Sequence, residues 1–181
     1  MIRLGSNSPT RAIILKSFGI DFIQNGGDFD EDSITTTNPK SFCYEATKGK
    51  FLELYNIYGV EDMPLLVADS VVTCEGKLLR KAKDLDDAKS MLELQSGNKT
   101  SVITCMIYKS KEKELIDISI TTYEFASFDK KHMQEYLDSG ECFGKAGAIM
   151  VEGFCKPYIK NVIGYESTAM GLCVEKLKYY L

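Results

Sequence analysis

Residues 2–19 read IRLGSNSPTRAIILKSFG, and this stretch sets the expectation for the whole fold. Its opening IRLG is a short apolar run typical of a strand. Residues 9–18 then carry the signals of a helix, with Ser8 as N-cap, Pro9 in the first position and Gly19 as the stop. A strand that passes directly into a helix indicates an α/β or mixed α+β domain, if later segments alternate in the same way.

The rest of the chain does alternate between the periods of helix and strand. The predicted elements are a helix over 40–58, a buried strand over 64–72, a helix over 85–96 capped by Asp84 with Leu85, Ala88 and Leu92 on one face, strands over 100–108 and 114–126, a short helix over 129–138, and an amphipathic helical tail over 168–180. The two strands are separated by a charged KSKEK turn, which predicts an antiparallel hairpin and hence a mixed sheet.

Length and composition predict one globular domain spanning residues 1–181, with 44% hydrophobic and 27% charged residues. No apolar run approaches the ~18 residues that a membrane span needs, and the N-terminus lacks the apolar core of a signal peptide. We therefore expect a cytoplasmic protein without a membrane partner. The net charge of −4 argues against a nucleic-acid partner but allows a nucleotide substrate in a local basic pocket.

Cysteine and histidine usage narrows the possible chemistry. The six cysteines show neither a CxxC pair nor metal-finger spacing, so we expect reduced, mostly buried thiols. The single histidine, His132, lies in the charged helical stretch DKKHMQEYL, where a catalytic role is not expected. Any catalysis should then depend on carboxylates, lysines and a metal.

The strand–loop–helix LGSNSPTR, residues 4–11, is the first candidate site. A helix N-terminus attracts phosphate through its unpaired N–H groups and its dipole. Ser6 and Ser8 add hydroxyls, and Arg11 adds a guanidinium suited to phosphate oxygens. The alternative is an ordinary capped helix with a solvated Arg11, because capping alone explains Ser8.

Asp69, inside LLVADSVV, is the second candidate. A charge in the middle of a buried strand costs several kcal/mol unless it is paired or bound to metal. Alternatively the strand ends near Ala68, which leaves Asp69 at the carboxyl edge of the sheet, where ligands bind in open α/β folds. Both geometries indicate a functional site.

Further polar segments are weaker signals when taken alone. The acidic segment DFDEDS, residues 28–33, contains Glu31, which together with Asp69 could supply oxygen ligands to a hard divalent cation. The basic segments KGK (48–50) and RKAK (80–83) are ordinary surface charges in isolation. The small-residue stretch GKAGAIMVEG, residues 144–153, would let backbone approach a ligand, with Lys145 and Glu152 as polar groups.

In this order and at these intervals, the segments resemble the Maf family over nearly the whole chain. The matching elements are the small-Ser-x-Ser-Pro-x-Arg signature at Gly5 to Arg11, Ala68-Asp69-Ser70, Lys81 after the following hairpin, Lys145 to Ala148, and Met170-Gly171-Leu172. The resemblance implies a Maf/ITPase-like fold, with a twisted mixed sheet flanked by helices and two lobes around a central cleft. Many members form homodimers.

The resemblance also implies an activity. Family members hydrolyse nucleoside triphosphates, some of them modified, to monophosphate and pyrophosphate with Mg²⁺ or Mn²⁺, a house-cleaning reaction of the nucleotide pool. By position, Asp69 matches the proton acceptor for the attacking water, and Glu31 matches an acid that holds metal together with Asp69. Substrate-binding positions fall on Ser6, Ser8, Arg11, Lys81, Lys145 and a mid-helix lysine that is either Lys48 or Lys50.

Departures from the family pattern concern the choice of base. Thr10 replaces an arginine, and Glu152 replaces a glutamine; with Ser70, these positions are tied to specificity. A carboxylate accepts hydrogen bonds and suits guanine N–H groups, whereas glutamine both donates and accepts. Members with Glu resemble the branch that takes 7-methyl-GTP, while Gln accompanies dTTP and UTP.

Two other functions remain open from the sequence. One is a nucleotide-binding regulator of septum formation and cell division with weak or no turnover, since some family members were first named septum-formation inhibitors. The other is a different phosphohydrolase, for example one acting on noncanonical purine triphosphates. Release of pyrophosphate distinguishes the pyrophosphatase from both.

Overall fold

The computed structural model describes every residue from Met1 to Leu181. Strands and helices alternate along most of the chain, as predicted. In chain order the elements are β1 (Ile2–Leu4), α1 (Pro9–Ser17), β2 (Phe22–Gln24), α2 (Pro39–Tyr58), β3 (Leu65–Cys74), β4 (Lys77–Leu79), α3 (Leu85–Gln95), β5 (Lys99–Lys109), β6 (Glu114–Phe125), α4 (Lys130–Ser139), β7 (Ile159–Ile163), α5 (Glu166–Ala169) and α6 (Val174–Leu177). None of these helices is both long and apolar enough to span a membrane.

The strands form one seven-stranded mixed sheet in the order β2-β1-β3-β5-β6-β7, with β4 beside β3. Strand β1 pairs in parallel with both β2 and β3, whereas β4 runs antiparallel to β3 and β7 antiparallel to β6. Strands β5 and β6 are neighbours joined only by the turn 110–113, which is too short for a parallel crossover. The predicted hairpin and mixed sheet are confirmed.

The chain divides into two compact units. The first contains Met1–Ser70, Ile103–Ile120 and Tyr165–Leu181, and the second contains Val71–Val102 and Thr121–Gly164. In the first unit, apolar residues of β1, α1, β3, β5 and the last helix form a buried core that includes Leu4, Leu15, Leu66, Met106 and Leu177. This core fixes the β1–α1 connection and the middle of β3, which carry the candidate site.

The second unit has an aromatic core. The rings of Tyr136 and Phe154 stack with their centroids 4.5 Å apart, and Phe128 packs edge-on against Phe154 at 5.1 Å. His132 belongs to this cluster, with Nδ1 2.8 Å from the Tyr158 hydroxyl. His132 therefore has a packing role on α4. All six cysteines of the chain are free thiols and buried, as predicted.

Capping side chains begin the first four helices, and two of them, Ser8 and Asp84, were predicted from the sequence. Ser8, Asn38, Asp84 and Asp129 cap α1, α2, α3 and α4, each accepting a hydrogen bond from a backbone N–H in the first turn. One placement on α3 was wrong: Leu85 is exposed, because it is the first residue of the helix, and only Ala88 and Leu92 of the predicted face are buried.

The prediction of a single helix over 168–180 was also wrong. The structure has two four-residue helices, α5 and α6, separated around Gly171. Gly171 has φ of 108°, outside the range of a helix, so the amphipathic pattern cannot continue through it. The short strands β2, β4 and β7 were not predicted, because three to five residues carry too little periodicity.

Candidate active site

Two carboxylates and one ammonium group form the centre of the candidate site in the first unit. Glu31 begins a 3₁₀ turn that Asp30 caps, Lys50 projects from α2, and Asp69 lies on β3. The Lys50 Nζ atom donates to Glu31 Oε1 at 2.6 Å and to Asp69 Oδ1 at 2.9 Å. Both carboxylates therefore converge on one cation.

Asp69 lies within its strand and not at its end. Strand β3 continues to Cys74, so the alternative in which the strand stops near Ala68 is wrong. The residue is only 9% exposed, and Lys50 compensates the charge that burial would otherwise penalise. The Cys43 thiol lies 3.4 Å from the Asp69 carbonyl oxygen and fixes the backbone on the other side.

The environment of Lys50 determines its protonation. Burial alone would lower its pKa, but the charges of Asp69 and Glu31 and their hydrogen bonds outweigh this effect, so the pKa of Lys50 is raised. Lys50 therefore stays a cation at neutral pH and offsets the repulsion between the two acids. Burial likewise raises the pKa of the Cys43 thiol, which stays protonated.

The structure distinguishes the two candidate lysines of α2. Lys50 contacts both acids, whereas Lys48 is exposed, with its Nζ 5.9 Å from the centroid of the Tyr44 ring. Two residues apart on a helix, the side chains point in directions ~200° apart, so both cannot face β3. Only Lys50 lies in the acid cluster.

Arg11 and the serines of the first loop form a second polar group in this unit. Arg11 donates from Nε to the Gly171 carbonyl at 2.8 Å, from one terminal nitrogen to Ser6 Oγ at 3.0 Å, and from the other to Ser70 Oγ at 3.3 Å. The alternative of a solvated Arg11 is wrong. Since a guanidinium carries more N–H groups than these three, donors remain for a phosphate oxygen.

Arg11 is also electrostatically coupled to the acid cluster. Burial lowers the pKa of Arg11, and the charges of Asp69 and Glu31 act in the opposite direction. The side chain keeps its charge, because an arginine does not lose its proton in a protein. Arg11, held by three hydrogen bonds, is thus a cation whose charge is favoured by both acids.

A chain of hydrogen bonds orients Ser70. The Thr104 hydroxyl donates to the Thr168 carbonyl at 2.7 Å, so its oxygen must accept from Ser70, which lies 2.8 Å away. The Ser70 oxygen is then left to accept from Arg11. Ser70 thus has one fixed rotamer and its proton is already engaged, which restricts how it contacts a ligand.

The loop before α1 is held in shape by neighbouring groups. Ser6 Oγ accepts from the Ser8 N–H at 3.2 Å, and Ser8 Oγ accepts from the Arg11 N–H at 3.4 Å. The Gln24 amide donates to the carbonyls of Ser6 and Ser8 at 2.7 and 3.2 Å. Thr10, in the first turn of α1, is half-buried.

The remaining predicted site residues belong to the second unit. Lys81 forms an isolated antiparallel bridge with Ala146, and Lys145 Nζ donates to the Glu141 carbonyl at 2.5 Å. Both Gly147 and Ala148 have positive φ, at 64° and 56°. Positive φ costs an alanine conformational energy, and the conformation persists only where surrounding contacts enforce it.

Those contacts around the 144–148 loop are visible. The Gly147 N–H donates to the Arg80 carbonyl at 3.0 Å, and the Gln95 amide donates to the Gly147 carbonyl at 2.7 Å. A Cβ on Gly147 would lie 2.8 Å from a methyl carbon of Val72, so glycine is required there. Glu152 is exposed in the turn that follows.

Some residues of the candidate site were not predicted from the sequence. Cys43, Thr104 and Gln24 support Asp69, Ser70 and the first loop, but each belongs to an element that looks ordinary. Only Thr104 gave a detectable signal, as a hydroxyl among the apolar residues of a strand.

Comparison with known proteins identifies the family of the chain. The model of the family described as "Maf-like protein" matches residues 1–181. The nucleoside triphosphate pyrophosphatase of a Nitratiruptor species is 53% identical over 179 residues, which cover 98% of this chain and 96% of that protein. The protein of the same name from Helicobacter pylori is 40% identical over 174 residues, covering 96% and 91%.

More distant matches follow. A further nucleoside triphosphate pyrophosphatase, from Campylobacter jejuni subsp. jejuni, is 36% identical over 183 residues. The alignment covers 100% of this chain and 100% of that protein. Among solved structures, the Ham1 protein of Staphylococcus aureus matches 69% of this chain and 71% of its own, with 12% identity and a TM-score of 0.48. On the full-length family match and the 53% identity, the chain belongs to the Maf family.

Proposed function

We propose that residues 1–181 act as one functional domain, a nucleoside triphosphate pyrophosphatase that releases monophosphate and pyrophosphate. The observation that carries the proposal is the convergence of Glu31 and Asp69 on Lys50, together with Arg11, which donates to Ser70, the residue after Asp69. The name shared by the Nitratiruptor and Helicobacter relatives supports the same reaction.

In the proposed reaction, a water oxygen forms a bond to the α-phosphorus while the bond from that phosphorus to the bridging oxygen of pyrophosphate breaks. Asp69 accepts the proton of the water, as a positioned general base. Arg11 and the N–H groups at the start of α1 bind phosphate oxygens and offset the charge that moves during the displacement. Lys50 keeps Glu31 and Asp69 in place before substrate arrives.

The residues present fit a hard divalent cation. The first unit offers two converging carboxylates, and no group of three or more His, Cys, Asp or Glu residues forms a closed metal site. Mg²⁺ is commonly held by one or two carboxylates together with substrate phosphates. Glu31 and Asp69 would hold Mg²⁺ or Mn²⁺, which would supply charge neutralisation on the phosphates.

Metal dependence gives a direct prediction. Treatment with excess EDTA should abolish pyrophosphate release, and Mg²⁺ or Mn²⁺ should restore it, because the available oxygen ligands suit hard cations. The measurement is a pyrophosphate-coupled assay on a mixture of triphosphates. Full activity in EDTA would contradict the proposed role of Glu31 and Asp69.

The test of the reaction itself is a panel of triphosphates assayed separately for pyrophosphate and for orthophosphate. The proposal expects pyrophosphate and monophosphate as the only products. Orthophosphate release would indicate a different phosphohydrolase. Tight nucleotide binding without any product, with Mg²⁺ or Mn²⁺ present, would instead favour a regulator of cell division.

We propose Glu152 and Thr10 as residues that select the base. The Glu152 carboxylate accepts hydrogen bonds only, so it favours guanine or 7-methylguanine over the pyrimidines. Its exposure in the turn after the 144–148 loop leaves it accessible to a ligand. In the triphosphate panel, GTP or 7-methyl-GTP should have higher kcat/KM than dTTP and UTP.

We propose a second copy of the chain as a partner. Ile116, Ile118 and Ile120 lie on one face of β6 with 51%, 38% and 38% exposure, and β7 pairs with β6 only from Thr122 onward. The three isoleucines are spaced symmetrically about Ile118. Strand β6 of one copy could therefore pair antiparallel with β6 of a second copy, with each isoleucine opposite an isoleucine. Size-exclusion chromatography with light scattering tests this, with Ile118→Lys expected to give the monomer.

A further inference from the structure

The acidic segment, residues 28–33, is packed against helix α2 by an unusually close contact. The Phe29 ring lies directly over the backbone of Gly49. A Cβ added to Gly49 would be 2.2 Å from one carbon of that ring and 2.3 Å from another. Any side chain at position 49 would therefore displace the ring or the segment that carries it.

A second contact holds the same segment one helical turn further along α2. Glu53 Oε1 accepts a hydrogen bond from the Asp28 N–H at 3.0 Å. A Cβ on Gly27 would lie 2.7 Å from the other carboxylate oxygen, which is buried and has no hydrogen-bond partner. Residues 49 and 53 are separated by four positions and share one face of the helix. The chain is thus held at Phe29 and at the two residues before it, ahead of Glu31.

The contact with Phe29 explains why glycine, a poor helix former, lies at position 49. Glycine in a helix interior destabilises the helix relative to alanine, and Gly49 lies in the middle of the twenty-residue α2. No turn or positive φ requires glycine at that position, since it lies within the regular helix. The close approach of Phe29 is the one feature on α2 that alanine would disrupt.

We infer that Phe29 and Gly49 are positioning residues whose contact sets the location of Glu31 relative to Lys50 and Asp69. The inference rests on the proposed function, because it assigns Glu31 to the active site. Neither residue would touch the reacting atoms. Lys50 follows Gly49 directly and Glu31 lies two residues after Phe29, so a displacement at the contact would be transmitted to the 2.6 Å bond between them.

The first experiment is Gly49→Ala, compared with Asn56→Ala on the exposed side of α2 as a control for helix propensity. Asn56→Ala should raise the melting temperature slightly or leave it unchanged. Gly49→Ala gains the same helix propensity but loses the Phe29 contact, so its melting temperature should change little. Only Gly49→Ala should lower kcat, by about ten- to a hundredfold, with a smaller effect on KM, as expected when catalytic groups are misplaced. A loss of kcat without a matching loss of melting temperature is a result that a purely structural role does not produce.

The second experiment combines Gly49→Ala with Phe29→Ala. If the two residues act through one contact, the double variant should be no less active than Phe29→Ala alone. Two independent losses that multiply would overturn the inference, as would a Gly49→Ala enzyme with wild-type kcat. Hydrogen exchange of residues 26–33 is a readout independent of catalysis, and Gly49→Ala should speed exchange of the Asp28 amide.

The exchange measurement also separates the two proposals. Faster exchange in an enzyme that releases no pyrophosphate from any triphosphate would contradict the proposed function while leaving the contact established. Unchanged exchange with unchanged kcat, in an active enzyme, would overturn the positioning role alone.

Discussion

Asp69 combines burial with a single close cation, and this combination predicts how it responds to substitution. Asp69→Asn keeps the size of the side chain and one oxygen for Lys50, so the fold should be preserved. The amide cannot accept the proton of the attacking water, and kcat should fall by about 10²–10⁴-fold. Circular dichroism and thermal unfolding check the fold. A folded variant with near-wild-type kcat would remove Asp69 from the catalytic role.

Lys50 gives a prediction about pH and stability. Its pKa in the folded protein is raised above 10.5, so its stabilising contribution is complete below the unfolded pKa of about 10.4 and is lost as pH rises through the folded value. Lys50→Met should lower the free energy of unfolding at neutral pH by about 1–3 kcal/mol, because two acids lose their cation.

The difference between wild type and Lys50→Met should then stay constant from about pH 8 to about pH 9.5 and shrink as the pH rises through about 10.4 and beyond. Urea unfolding of both proteins across this range measures it. Tyrosines also titrate there, but they are common to both proteins and cancel in the difference. A constant difference in free energy would mean that the lysine stabilises the fold by packing alone.

Glu152 gives the prediction with the sharpest consequence for substrate choice. Replacing it with Gln adds a donor and removes a charge, so the preference for guanine triphosphates over dTTP and UTP should fall. A hydrogen bond to a charged group contributes roughly 1.5–3 kcal/mol, so the ratio of kcat/KM values should change by about tenfold or more. The triphosphate panel measures the ratio. Unchanged ratios would indicate that Glu152 only interacts with neighbouring charges.

At the scale of elements, helix α1 has two separable roles at its first turn. Ser8 caps the helix and is also proposed to face phosphate. Ser8→Asp should preserve stability, since aspartate caps as well as serine, but its charge should repel phosphate and raise KM. Ser8→Gly is the matched control, expected to change stability by only a few tenths of a kcal/mol. Equal KM values in the two variants would limit Ser8 to capping.

The elements also show what the sequence could predict. Helices α1 and α3 begin where a predicted capping side chain, Ser8 or Asp84, precedes a proline or an apolar residue, and those signals are local. The prediction of one helix over 168–180 was wrong because hydrophobic periodicity contains no information on the backbone conformation at Gly171. The place of Asp69 within β3 also could not be determined, because it depends on a tertiary partner, Lys50.

At the scale of the whole molecule, the candidate site depends on contacts between distant parts of the sequence. The order of motifs was sufficient to name Asp69, Glu31 and Arg11 as candidates. It could not reveal the contact of Thr104 with Ser70 or that of Phe29 with Gly49, since both contacts arise only when strands and helices pack. The motifs therefore identify the candidate catalytic residues, but not the neighbouring residues that hold them in position.

The bond between Arg11 and the Gly171 carbonyl joins residues 160 positions apart. Chains emerge from the ribosome N-terminus first, so Arg11 is synthesised long before its partner exists. The first unit also takes its segments from the beginning, middle and end of the sequence. A nascent chain can form helix α1 early, but it cannot fix the Arg11 side chain until Gly171 has been released. The three hydrogen bonds of the Arg11 side chain are therefore complete only after the chain has been made through Gly171, which is synthesised later than its other two partners, Ser6 and Ser70.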